Sequence, residues 1–244
     1  MSVYNYTNGI LLRNLTPHKS EVTAIIPGDK NTYISCSADA HIWVHDELAS
    51  TKKPTIISSF TAPPTALEPA GVPRDITMMT VCREMNLLVS ATSARTVRIW
   101  DMEDTSLEVQ FKLHAAEVTN VLILHPYPVV ASCDCLGSVL LYAVRPAVFK
   151  NHCICKLQNL LPTGKPCGVF SMAFVPDTCS LYTGDESGDI KVWSLATLFE
   201  QAMVFPGKRH RGSRSATPSA PDSASTVPKP QSPTAPQLLH ATPG

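Results

Sequence analysis

Long hydrophobic runs are missing from these 244 residues. A membrane-spanning helix needs about 18 or more consecutive apolar residues. The most apolar region, Val118 to Phe149, is broken by His125, Pro126, Pro128 and Asp134, so no membrane span is expected. The start, Met1 to Arg13, lacks the charged-then-apolar order of a secretory signal. The eight cysteines are therefore expected as free thiols in a reducing, cytoplasmic compartment. Cysteine pairs at zinc-knuckle spacing, with two residues between them, are also missing. Cys133-Asp-Cys135 and His152-Cys153-Ile-Cys155 are spaced otherwise, and neither metal nor cofactor is expected.

Catalytic signatures are absent as well. The chain has no Gly-x-Ser-x-Gly, no Gly-x-x-x-x-Gly-Lys phosphate loop and no His-Glu-x-x-His, and the expectation is that it is not an enzyme. Net charge is zero, but it is unevenly spread. Lys208, Arg209, Arg211, Arg214 and Lys229 against Asp222 give residues 206–244 a charge of +4, which leaves −4 on residues 1–205. An acidic body argues against nucleic acid as its partner.

What the sequence does have is an internal period. Tyr33 to Asp39, Leu88 to Ala94, Val130 to Asp134 and Leu181 to Asp185 each join an apolar pair to small and acidic residues. Each is followed by an alternating run: His41 to His45, Thr96 to Trp100, Ser138 to Tyr142 and Asp189 to Trp193. Alternation with β-branched enrichment reads as strand, and the small residues between read as a tight turn. A third apolar run precedes each hairpin, at Val22–Ile26, Ile76–Met79, Val118–Leu124 and Val169–Phe174. The closing positions 45, 100, 142 and 193 are spaced by 55, 42 and 51 residues. The shortest spacing is close to a propeller blade of about 40–45 residues; the longer ones are read as carrying loop insertions, at Ser50–Val72 and Ala147–Gly168.

Thr96-Val-Arg-Ile-Trp100-Asp101, Gly188-Asp-Ile-Lys-Val-Trp193, and the histidines of His18-Lys-Ser-Glu-Val22 and His114-Ala-Ala-Glu-Val118 resemble the WD-repeat (WD40) family over roughly residues 10–200. The resemblance implies an all-β, WD40-type β-propeller with about four recognisable blades, near 18–46, 72–104, 114–146 and 165–198. It also implies a buried network of His, Ser or Thr, turn Asp and Trp in each blade. Unit one offers His18, Ser35 and Asp39, with His45 in the Trp place and Trp43 two residues early. Unit two has Trp100 and Asp101, but Ala94 at the Asp place and Val72 near the His place. Unit three keeps His114, with Leu136 and Tyr142 replacing Asp and Trp; unit four has Trp193, with Lys165 and Ser187 in the remaining places and Asp185 in its turn. No complete network is expected in any blade. His18, Asp39, Trp43, Trp100, Asp101, His114, Tyr142, Asp185 and Trp193 are assigned to blade structure rather than to chemistry.

Propellers close with 4–8 blades, so four units imply a partial ring, part of a larger propeller, or self-association into one ring. Gly9 to Leu15 reads as the outer strand of a preceding blade. Residues 206–244 are dominated by Pro, Ser, Thr and Ala and are expected to be a disordered tail. Thr217, Ser232 and Thr242, each before a proline, are its candidate phosphosites. The reading is of a non-catalytic protein-binding scaffold, cytoplasmic, with His125 to Pro146 resembling repeats of cilium-associated WD proteins. The alternative is a propeller that acts as an enzyme or binds a nucleotide or RNA through its loops.

Overall fold

The computed structural model describes residues 2–14, 18–28, 31–46, 56–61, 74–144, 153–202 and 238–239. A short hairpin pairs β1 (Ser2–Tyr4) with β2 (Leu11–Asn14). Four antiparallel four-stranded sheets follow, each a meander whose sequence neighbours are also spatial neighbours. Blade 1 is β3 (Val22–Pro27), β4 (Thr32–Ser37), β5 (Ile42–Asp46) and β6 (Ile56–Phe60). Blade 2 is β7 (Ile76–Cys82), β8 (Leu87–Thr92), β9 (Val97–Asp101) and β10 (Leu107–Phe111). Blade 3 is β11 (Val118–Ile123), β12 (Val129–Asp134), β13 (Ser138–Ala143) and β14 (Cys153–Gln158). Blade 4 is β15 (Val169–Val175), β16 (Ser180–Asp185), β17 (Ile190–Ser194) and β18 (Leu238–Leu239). The architecture is all-β, a series of four-stranded antiparallel blades.

The innermost strands stack in chain order, β3 on β7, β7 on β11 and β11 on β15. Because a middle blade is covered on both faces, its central strands are buried at every position, as β8, β12 and β13 are. Three apolar layers fill the gaps between sheets. Ile34, Ile42 and Phe60 meet Ile76, Leu88 and Trp100 between blades 1 and 2. Val89, Ile99 and Phe111 meet Val121, Leu140 and Tyr142 between blades 2 and 3. Leu141, Ala143 and Leu157 meet Val169, Leu181 and Trp193 between blades 3 and 4. Leu195, just before helix α1 (Ala196–Ala202), and Phe199 within it join this last layer; the helix lies outside the expected strand pattern.

A threonine clasp repeats along the inner strands. Thr23 Oγ1 donates to the Ile76 carbonyl at 2.6 Å, Thr77 Oγ1 to that of Val118 at 3.5 Å, and Thr119 Oγ1 to that of Val169. Each crosses to the next blade. Phe170 occupies the corresponding place in blade 4 and is half exposed. Among the described residues no comparable packing joins β15 back to β3, and these two inner strands leave about half of their residues exposed whereas β7 and β11 leave none.

Two expectations are corrected. The supposed insertion 50–72 contains β6, and 147–168 contains β14, so both segments contribute the outermost strand of a blade. These strands escape pattern reading because they sit at a sheet edge and need no clean alternation: Ile56-Ile-Ser-Ser-Phe60 and Cys153-Ile-Cys-Lys-Leu-Gln158 mix both residue classes. Of the tail, Leu238–Leu239 pairs with Val192 and Trp193 of β17; Thr217, Ser232 and Thr242, like the rest of 203–237 and 240–244, lie outside the described residues. No helix among the described residues is long and apolar enough to cross a membrane.

Candidate functional site

The polar residues most able to do chemistry converge inside the blades. In blade 1 the backbone turn at 38–40 holds Asp39 beneath the residues that precede β3. His18 Nδ1 lies 3.2 Å from Asp39 Oδ1, and His18 Nε2 lies 2.8 Å from Ser35 Oγ. Ser35 Oγ is in turn 2.7 Å from His45 Nε2. Asp39 also accepts the backbone N–H groups of Lys19 and His41. Burial works against its charge, but these donors and His18 hold its carboxyl below the usual range. Burial pushes His45 in the other sense: removal from water, and secondarily the charge of His18, lowers its pKa to about 4.

Blade 3 builds the same network from a displaced acid. His114 Nδ1 is 2.8 Å from Asp134 Oδ2, His114 Nε2 is 2.6 Å from Ser132 Oγ, and Ser132 Oγ donates to Tyr142 Oη at 3.1 Å. The Leu136 side chain, at the sequence position of the turn acid, is exposed and takes no part. Asp134, two residues earlier at the strand end, supplies the carboxylate and also accepts the N–H groups of Leu136 and Ser138. The network expected to be broken is therefore closed, in blade 3 with Tyr142 and in blade 1 with His45 in the place of Trp. Burial raises the Asp134 carboxyl, and His114 with the Ser138 N–H outweighs it, for a net lowering.

Blades 2 and 4 keep the Trp half. Trp100 Nε1 donates to Ser90 Oγ at 3.0 Å, and Trp193 Nε1 to Thr183 Oγ1 at 2.9 Å. In blade 4 the acid is again displaced. Asp185 accepts from Ser187 and from Asp189 N–H, and its other oxygen takes Lys191 Nζ and Asn159 Nδ2, each at 3.0 Å. Burial opposes ionisation of Asp185, yet this set of donors drives its carboxyl far below the usual range. Lys165, read at the His place, is exposed; fully buried Asn159, missed from sequence, donates to Asp185 and to the Cys167 carbonyl but does not reach Thr183, so acid and Trp halves stay separate in this blade. Val72 lies outside the described residues.

The remaining singled-out residues have local roles. Asp101 closes the strand end, taking Asn86 Nδ2 at 3.1 Å and the Glu103 N–H at 2.6 Å. Trp43 is partly buried and stacks on His41 with ring centroids 5.4 Å apart, and its Nε1 has no partner among the described residues. All eight cysteines are free thiols. Cys133, packed against Thr119, is pushed up to about 12 by burial, which makes it inert. A cleft of about 390 Å³ lies where Ile26 and Pro27 face Thr80, Val81, Arg83 and Glu84; its lining holds no nucleophile beside a histidine or a second carboxylate.

Each turn between the second and third strand uses one left-handed residue: Ala40 (φ 65°), Arg95 (φ 64°), Gly137 (φ 80°) and Gly188 (φ 91°). It lies five residues beyond Ser35, Ser90, Ser132 and Thr183 respectively, so the turn and the network share one register. Two stretches, residues 9–46 and 153–194, match the family model described as WD domain, G-beta repeat. Each matched stretch begins before the inner strand of its blade, at β2 and β14, and closes at the third strand. No curated protein matches the chain.

Proposed function

We propose that this chain, whose first and fourth blades carry WD repeats, is a non-catalytic scaffold that binds other proteins, with cytoplasmic or ciliary assemblies as its setting. The observation that carries the reading is where apolar surface remains. The strands of blades 2 and 3 expose no large apolar side chain, whereas β3 and β6 expose Ile25 and Ile57, and β15 and β17 expose Phe170, Val175 and Ile190, the last at 71 %. Exposed apolar surface concentrated on particular elements marks interaction sites in soluble proteins. The buried carboxylates Asp39, Asp134 and Asp185 are instead consumed in holding the blades. WD repeats generally mediate protein assembly, and the repeat style of His125 to Pro146 supports the ciliary setting.

The test is affinity capture by the full chain, comparing wild type with Phe170→Glu and Ile190→Glu. Both side chains are exposed, so circular dichroism should be unchanged while partners bound by wild type are lost. A turnover that depends on one of the blade carboxylates, or partners retained by both variants, would overturn the reading.

A further inference from the structure

Blades 2 and 3 bring together three side chains of different chemistry, two of them neighbours in one turn and the third far off in sequence. Cys82 ends β7, Glu84 stands in the turn that follows it, and His125 stands in the turn after β11. One ligand atom from each lies within 4.8 Å of the other two. Cys82 is 6 % exposed and Glu84 and His125 are exposed, so a fixed thiol faces two side chains with room to move. The Cys82 thiol donates to Glu84 Oε2 at 3.4 Å.

We propose that Cys82, Glu84 and His125 form a Zn²⁺ site that pins the blade 2 turn to the blade 3 turn. The ligand set selects the ion: one thiolate, one imidazole and one carboxylate suit a borderline-soft cation, whereas Ca²⁺ and Mg²⁺ take oxygen shells. Around a tetrahedral zinc with bonds of about 2.0–2.3 Å, ligand atoms sit roughly 3.5 Å apart. The Cys82–Glu84 separation already has that value, and His125 closes the triangle by a side-chain rotation at the surface. Three protein ligands leave a fourth position for water or for a side chain of a bound partner. On binding, the Cys82 proton goes to solvent and the thiolate takes its place at the ion. The site is independent of the scaffold reading, because it asks only that the two turns be adjacent.

The experiment titrates the full chain, reduced and metal-free, with Co²⁺ and then with Zn²⁺. The expected result is one tetrahedral cobalt per chain with a thiolate-to-cobalt charge-transfer band, displaced by stoichiometric Zn²⁺, and an unfolding midpoint that rises with Zn²⁺. Cys82→Ser abolishes the band, while replacing Cys153 and Cys155 together by Ser leaves it intact. His125→Ala and Glu84→Gln, both at exposed positions that do not affect blade packing, weaken cobalt binding by more than about tenfold, the loss seen when even an outer hydrogen-bond partner of a ligand is removed. A band that survives Cys82→Ser, cobalt bound without a thiolate band, no binding at all, or affinity unchanged in the His125 and Glu84 variants would each overturn the proposal.

Discussion

Replacing His114 by Phe tests whether the blade 3 network contributes to stability. The ring volume is kept, but the contacts to Asp134 at 2.8 Å and to Ser132 at 2.6 Å are lost. Both side chains of the His114–Asp134 pair are fully buried, so water cannot replace the missing donor. Asp134 retains the N–H groups of Leu136 and Ser138 on its other oxygen, which moderates the penalty below that of a wholly abandoned charge. A buried hydrogen bond to a charged group is worth about 1.5–3 kcal/mol, and breaking a buried pair costs about 3–5 kcal/mol. A loss of roughly 3 kcal/mol is expected, a large share of a total of about 5–15 kcal/mol for a domain. Urea unfolding followed by the fluorescence of Trp100 and Trp193 measures it, with Glu108→Ala at an exposed edge position as a control expected within about 0.5 kcal/mol. In a double-mutant cycle with Asp134→Asn, a coupling of about 1–3 kcal/mol is expected. A loss below about 1 kcal/mol, or strict additivity with Asp134→Asn, would refute the claim that the displaced acid restores the network.

His45 sets a pH dependence whose sign follows from its lowered pKa. The neutral form is favoured in the folded state, so its contribution is fully present above the unfolded value of 6.5 and is lost as pH falls toward about 4. At pH 5 this amounts to roughly 2 kcal/mol. His45→Tyr, which copies the Ser132–Tyr142 pairing of blade 3, is expected to flatten the stability profile between pH 6.5 and 4; a profile unchanged by the substitution would contradict the assignment. The turn register makes opposite predictions at equivalent positions. Gly137→Ala should destabilise by at least about 1–2 kcal/mol, because φ is +80° and the new Cβ would meet the Cys167 carbonyl oxygen at 2.4 Å. Ala40→Gly should stabilise or be neutral, within about 1 kcal/mol. Thermal melts of the two variants check both.

Much of this molecule could be read from its sequence. Three strands per unit and the aromatic positions 45, 100, 142 and 193 stand out because central strands are rich in β-branched residues bounded by small turn residues. The fourth strands did not stand out. Edge strands such as β6 and β14 bury one face only in part, and β18 comes from more than forty residues beyond β17, a separation no local pattern can bridge. The networks escape fixed sequence spacing for a geometric reason. A carboxylate at Asp134 reaches the same space as one at Leu136, because the hairpin folds back on itself there, so fixed spacing fails while the chemistry persists. Asn159, serving blade 4 from the end of β14, and the juxtaposition of Cys82 and Glu84 with His125 depend on packing between sheets, to which sequence spacing is blind.

Hydrogen–deuterium exchange of the full chain, alone and bound to the proteins it captures, tests the central claim most directly. An interaction scaffold working through the exposed faces of blades 1 and 4 predicts new protection in peptides spanning 22–27, 56–60 and 169–194, with β8 and β12 already protected and unchanged. Protection confined to the central blades, or none on binding, would contradict it.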